Sequence, residues 1–256
     1  MPHRHPSLHA LLRKGSFIGL LLGPLACSPP SEGPGATSPA TATDGASATS
    51  AAATPADAAR QGRASLFVVH LVSDYDGFRK YFETGAPERA KAGVKGYLLS
   101  KLDDGRVVIH FFADDVDTVT RALQSPEMQH YMDAKGAPDA SLVWLTRDVV
   151  VKLPAAPPSG ETYSLYLKTK VADFEAFRRA FEERYGVFAE QGVVAEGLHR
   201  GTEQDDVAIV HLMGTSREKL DALTKRKEFT ELVALAKNPA EAKPLIAVDV
   251  VRSRPE

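Results

Sequence analysis

Cysteine is almost missing from this 256-residue chain. Cys27 stands alone, so no intramolecular disulfide can form and no metal site can draw on more than one thiolate. Charge of one sign is missing as well: 31 basic residues face 33 acidic ones. No segment gathers the Lys/Arg cluster that would neutralise many phosphates together, which argues against a nucleic-acid partner. An HExxH helix, a CxxC pair, a glycine-rich phosphate loop and a GxSxG elbow are all absent. Hydrolytic zinc, dinucleotide and serine-hydrolase chemistry therefore lack their usual local signatures, and no metal site is expected. The apolar stretch of residues 16–25, SFIGLLLGPL, is about half the roughly 20 residues that a helix needs to cross a bilayer.

What is present at the N-terminus has the order of a secretory signal over residues 1–26. Arg4, Arg13 and Lys14 come first, then the apolar stretch, then the small residue Ala26. The run Pro24-Leu25-Ala26-Cys27 resembles the bacterial lipoprotein box, in which the cysteine is lipidated and becomes the new N-terminus; Pro24 departs from the usual leucine. An ordinary signal peptide with an incidental cysteine is the alternative. The resemblance implies a membrane partner through Cys27 in a bacterial envelope. Ser28 replaces the aspartate that retains many such proteins at the inner membrane, which favours the outer membrane facing the periplasm. Residues 27–62 are rich in Ser, Pro, Ala and Thr, and residues 28–59 hold no aromatic, Leu, Ile or Val. Such a segment cannot bury enough apolar area to offset ordering entropy, so it reads as a disordered tether with a span on the order of 30 Å.

The rest of the chain repeats. A shift of 99 residues lays DYDGFRKYFE (Asp74 to Glu83) on DFEAFRRAFE (Asp173 to Glu182), and AKAGV (Ala90 to Val94) on AEQGV (Ala189 to Val193). After a two-residue insertion the shift becomes 101, pairing His110 with His211, Glu127 with Glu228, Pro138 with Pro239 and Asp148 with Asp249. Each copy reads as βαββαβ. In the first, residues 65–72 form a β-branched strand and a helix follows with Tyr75, Phe78 and Phe82 on it. Gly93 suits a left-handed stop for that helix. Residues 94–102 and 106–112 are strands joined by the hairpin turn Asp103-Asp104-Gly105. A second helix over residues 115–135, broken near Ser125-Pro126, precedes a closing strand over residues 141–151.

DYDGFRKYFE, AKAGVKGYLL and the SPEM before a short helix resemble the dimeric α+β barrel superfamily, which includes antibiotic-biosynthesis-monooxygenase-like and stress-responsive domains. The resemblance spans residues 64–152 well and 160–252 more loosely. It implies an α+β fold of two tandem ferredoxin-like modules, residues 63–152 and 161–253, facing each other as an intramolecular pseudo-dimer. The linker, residues 153–160, carries three prolines that stiffen it. A monomer is expected.

Few residues carry candidate chemistry. His110 and His211 sit within apolar third strands, VVIHFF and AIVHLM, where an imidazole needs a hydrogen-bond partner or a cavity. They read either as ligand-facing or acid/base groups, or as structural histidines bonded to a neighbouring element. Tyr166, Lys168 and Lys170 share one strand face where the first copy has Phe67, Val69 and Leu71. That face is an anion-binding or substrate-orienting wall, or simply a partly solvated strand. His70 and His199 face Thr169 and Ser100 in the other copy and read as structural. Arg79 with Glu83, and Arg178 with Glu182, read as surface helix pairs.

Three functions compete. One is a binding lipoprotein that holds a small, largely apolar molecule. The second, implied by the resemblance, is a monooxygenase-like or haem-handling enzyme with His110 or His211 in proton transfer or ligation. The third is a protein-interaction module. No cofactor follows from the residues themselves; haem enters only through the haem-handling members of the superfamily.

Overall fold

The computed structural model describes residues 62–123, 142–154 and 158–253. The signal segment, Cys27, nearly all of the tether and the Ser125-Pro126 break lie outside these residues. Eight strands form one closed, fully antiparallel barrel. They are β1 (Ala64–Leu71), β2 (Val94–Lys101), β3 (Arg106–Ala113), β4 (Leu142–Lys152), β5 (Tyr163–Lys170), β6 (Val193–Gly201), β7 (Val207–Gly214) and β8 (Leu245–Ser253). Their order around the barrel is β1-β3-β2-β8-β5-β7-β6-β4. The first four strands thus lie as β4-β1-β3-β2 and the last four as β8-β5-β7-β6, the same order in each half. Two seams join the halves, β2 against β8 and β4 against β6.

Seven α-helices accompany the barrel among the described residues: α1 (Tyr75–Thr84), α2 (Ala86–Lys91), α3 (Val116–Leu123), α4 (Phe174–Glu183), α5 (Tyr185–Glu190), α6 (Arg217–Thr224) and α7 (Lys227–Val233). Side-chain caps start four of them: Asp74, Asp115, Asp173 and Ser216 accept from the backbone N–H three residues on. Where one helix is expected between the first two strands, two stand in each half. Pro87, with no N–H, cannot continue the ladder past Gly85. In the second half the break falls at Arg184, whose guanidinium bonds the carbonyls of Ala180 and Glu228. Gly93 and Gly192 then reverse the chain at φ 86° and 84°, a conformation that favours glycine.

Alternation along the strands divides two cores. Leu165, Leu167, Ala208, Val210 and Leu212 face outward and pack with Phe177, Phe181, Phe188, Leu220, Leu223, Phe229 and Leu232 of the helices. Phe67, Val69, Val108, Tyr166, Val207, Ile209 and Ala247 face the barrel interior. Covering both faces is why the strands read as continuous apolar runs, β7 being buried along its whole length. At each seam the register slips by one residue, past Val149 in β4 and past Val250 in β8. These bulges directly follow Asp148 and Asp249.

Candidate functional site

The barrel interior holds a belt of buried polar groups. Ser65 Oγ on β1 donates to Asp148 Oδ1 on β4 at 2.7 Å. Its single proton is spent there, so His110 on β3 donates from Nε2 to Ser65 Oγ at 3.0 Å. Across the β4–β6 seam, His199 Nδ1 lies 2.8 Å from the same Asp148 oxygen, and both side chains are buried. A carboxylate only accepts, so Nδ1 carries the proton.

The other half departs from this pattern. His211 Nε2 lies 3.0 Å from Ser164 Oγ, as His110 lies from Ser65. The position of His199, however, is Ser100, whose hydroxyl donates to Asp249 Oδ1 at 2.8 Å across the β2–β8 seam. Tyr166 then donates to Ser100 Oγ at 3.0 Å. Thr162 donates to Asp249 Oδ2 at 2.7 Å, and Arg252 donates to Thr162.

Aromatic contacts bind the belt together. Phe67 stacks on His110 at 4.0 Å between centroids, and Tyr166 stacks on His211 at 4.7 Å with the planes 4° apart. His110 meets both His199 and His211 edge-on, at 5.2 and 5.3 Å. Burial drives the titration. The His211 imidazolium is disfavoured first by desolvation, then by His199 and Arg252, which lowers its pKa to about 3. Desolvation raises the Tyr166 phenol, with Asp249 adding to it. The Asp249 carboxyl is likewise raised by burial, against the opposing hydrogen bonds of Thr162, Ser100 and Ser164.

Toward one end of the barrel the inner face carries more exposed residues, Trp144 being half-buried and Lys168 exposed. Lys168 follows Tyr166 along the inner face of β5, and its ammonium lies 4.5 Å from the ring centroid of Trp144 on β4. Burial, then the neighbouring Lys170, hold its pKa below the ordinary lysine range. Both Lys168 and Lys170 are exposed, the second at the strand end. Of the residues singled out in the sequence, His110, His211 and Tyr166 therefore meet inside the barrel, Lys168 stands at its mouth, and Lys170 lies beyond it. His70 is partly exposed on β1, 6.1 Å from Phe78. The surface pairs form, Arg79 to Glu83 at 2.9 Å and Arg178 to Glu182 at 3.2 Å.

Sequence reasoning treated His199 as an isolated residue and gave Asp148, Asp249, Ser65 and Ser164 no role. The repeat already paired Asp148 with Asp249. The same 99-residue shift places Ser65 on Ser164, which with period-two alternation puts the serines on the face of Phe67 and Tyr166.

These residues do not fit haem. The rings of His199 and His211 each lie within 5.3 Å of His110, and the three are packed against Phe67, Phe112 and Tyr166, so the cluster is filled by its own rings. Among the described residues, no group of three or more His, Cys, Asp or Glu side chains is arranged to hold a metal ion.

The closed sheet with the strand order β4-β1-β3-β2 in each half defines a mixed α+β barrel of ferredoxin-like type. No family model and no curated protein sequence matches the chain. Solved structures do. A putative monooxygenase from Fusobacterium nucleatum subsp. nucleatum superposes with a TM-score of 0.56 at 9% identity, covering 75% of this chain and 95% of that one. An anthrone oxidase-like protein gives 0.57 at 11% identity, over 76% and 94%. A ferredoxin-fold protein from Listeria monocytogenes, related to antibiotic biosynthesis monooxygenases, gives 0.49 at 11%, over 75% and 97%. At these identities the likeness is one of fold.

Proposed function

We propose that this protein is a tethered, internally duplicated α+β barrel that binds a small, largely apolar molecule bearing an anionic or hydrogen-bonding group. The observation that carries the reading is the inner face of β5. It runs from buried Tyr166, stacked on His211, to Lys168, an exposed cation toward the end of the strand whose ammonium lies 4.5 Å from the ring centroid of Trp144. An accessible cation backed by an indole, beside a buried phenol, suits a carboxylate or phenolate on an aromatic or aliphatic body. The matching strand order of the halves and the 99- and 101-residue repeats support a tandem duplication in which each half stands where a second chain would. The charged, apolar and small-residue order ending at Cys27 supports export and lipidation, with the polar segment behind it as a spacer at the outer membrane.

Cofactor-free oxygenation of such a molecule is the second reading, favoured by the likeness to a putative monooxygenase and an anthrone oxidase-like protein. Native mass spectrometry of the intact protein, purified from its own host and compared with its denatured mass, tests the binding reading. The expected result is a reproducible extra mass that falls in occupancy in Lys168→Met. A bare mass in repeated preparations, with no small anionic aromatic compound restoring an adduct, would overturn it.

A further inference from the structure

One end of the barrel collects what an interior should hide. Four antiparallel steps separate β5 from β1, so the two strands run the same way and their last residues, Lys170 and Leu71, come out at one end. β4, antiparallel to β1, brings its first residue, Leu142, there too. Register sets these residues on the inner face: Leu142 stands opposite Val69, Trp144 opposite Phe67, and Lys168 opposite Ile209. Leu71 and Leu142 are 55% and 53% exposed, the most exposed large apolar side chains among the described residues. Trp144 is half-buried and packs against the inner core, with the Lys168 ammonium 4.5 Å from its ring centroid. This end is an apolar rim that holds an indole and two exposed lysines.

Those lysines have no carboxylate of their own. Neither Lys168 nor Lys170 forms an ion pair among the described residues, and the acidic residues of the neighbouring turns are already matched. Asp104 pairs with Arg106 at 2.6 Å, Asp206 with Lys237 at 2.8 Å and Asp205 with Arg200 at 3.6 Å. Asp103 pairs with Arg217, and Glu203 is not free either. Two positive charges thus stand uncompensated beside exposed leucines. A second copy of this end is a poor cover, because it would set lysine against lysine. An anionic lipid surface meets each feature: phosphates face the ammonium groups, the leucines leave water for the acyl boundary, and an indole prefers the layer between.

We infer that this end of the barrel is a membrane-docking face that seats on anionic lipid, with Trp144, Leu71 and Leu142 at the acyl boundary and Lys168 and Lys170 among the headgroup phosphates. Chain length permits it. The chain enters β1 at the opposite end, yet residues 27–62 reach up to about 120 Å when extended, against about 26 Å for a strand of eight residues. An anchor at Cys27 therefore leaves either end able to meet the lipid. The inference goes beyond the small-molecule reading and needs no guest inside the barrel.

Trp144 is the chain's one tryptophan, so its fluorescence reports this face alone. The test mixes the natural protein, purified from its own host, with vesicles of brominated phosphatidylcholine, with and without brominated phosphatidylglycerol. On the anionic vesicles the emission should move to shorter wavelength and be quenched, and high salt should reverse both. The ratio of docked to undocked barrel should fall about fivefold in Lys170→Gln, the worth of one lysine near an anionic surface. It should fall in Leu142→Ser as well. Unchanged emission on both kinds of vesicle, or equal quenching with and without phosphatidylglycerol, would overturn the docking face. Quenching that survives Lys170→Gln and Leu142→Ser but disappears in Lys168→Met would also overturn it, since that pattern marks a lipid molecule held as a guest. The native mass measurement judges the small-molecule reading separately.

Discussion

A buried histidine that cannot charge ties the stability of this barrel to pH. His211 has a pKa of about 3 in the folded chain against an ordinary 6.5, chiefly through burial. A depressed folded value contributes stability that is present above the unfolded pKa and is lost as pH falls toward the folded one. Between pH 6.5 and 3 the folded state should therefore lose up to about 1.4 kcal/mol per pH unit through this one residue. Asp249 works in the opposite sense. Its raised carboxyl contributes stability below the ordinary aspartate value that is lost as pH rises through the folded one. The Asp249 contribution is common to the natural chain and to a His211 variant, so the difference between the two from pH 6.5 down to 3 isolates the histidine. Urea unfolding across that interval should show a positive slope of stability against pH in the natural chain and a flatter one in His211→Phe, which keeps a ring against Tyr166. Equal slopes in the two proteins would show that His211 does not couple folding to pH.

At the scale of elements, the outer core and the helix caps should separate by magnitude. Phe181 on α4 is fully buried among Phe177, Phe188 and the outer faces of β5 and β7. Replacing it with alanine removes a fully buried ring of that helix and should cost about 3–5 kcal/mol. Asp173→Ala removes only the cap to the Ala176 N–H and should cost about 1 kcal/mol. Thermal or urea denaturation orders the two; a cap loss as large as the cavity would mean that α4 is held by its end and not by its face. This contrast explains what the sequence could disclose. Strands, the Gly105 turn and the Gly93 stop each depend on a few neighbouring residues and were legible in their local chemistry. The pairing of Asp148 with His199 was not, because it crosses a seam between halves and stands next to a bulge at Val149 that no local pattern announces. The partner of His199 was hidden for a related reason. It lacks a histidine twin in the repeat, and the place it shares with Ser100, beside the aspartate of the other half, shows only once the seams are closed.

Over the whole molecule, the differences between the two halves bear on which half pairs with which. Either half alone would be a four-stranded sheet with two bare edges, β2 and β4 in the first or β6 and β8 in the second, and an apolar inner face open to water. Self-pairing is the available remedy, yet the interior belt is matched across the halves and not within them. Joining two second halves would bring His199 of one copy to Asp249 of the other, where Tyr166 already fills the room beside the seam. Joining two first halves would set Ser100 against Asp148 with only Phe67 nearby, which leaves the place of a hydroxyl or an imidazole unfilled. One arrangement is overpacked and the other underfilled, each by about 1–3 kcal/mol per seam. Residues 62–154 and 158–253, expressed separately and then mixed, should therefore form a one-to-one heterodimer in preference to either homodimer, as read by native mass spectrometry. Tyr166→Phe in the second half should shift it toward self-pairing, because the hydroxyl that collides with His199 is gone. Stable monomers of either half, or a statistical mixture of dimers, would show that the belt does not select partners and that closure rests on the linker alone.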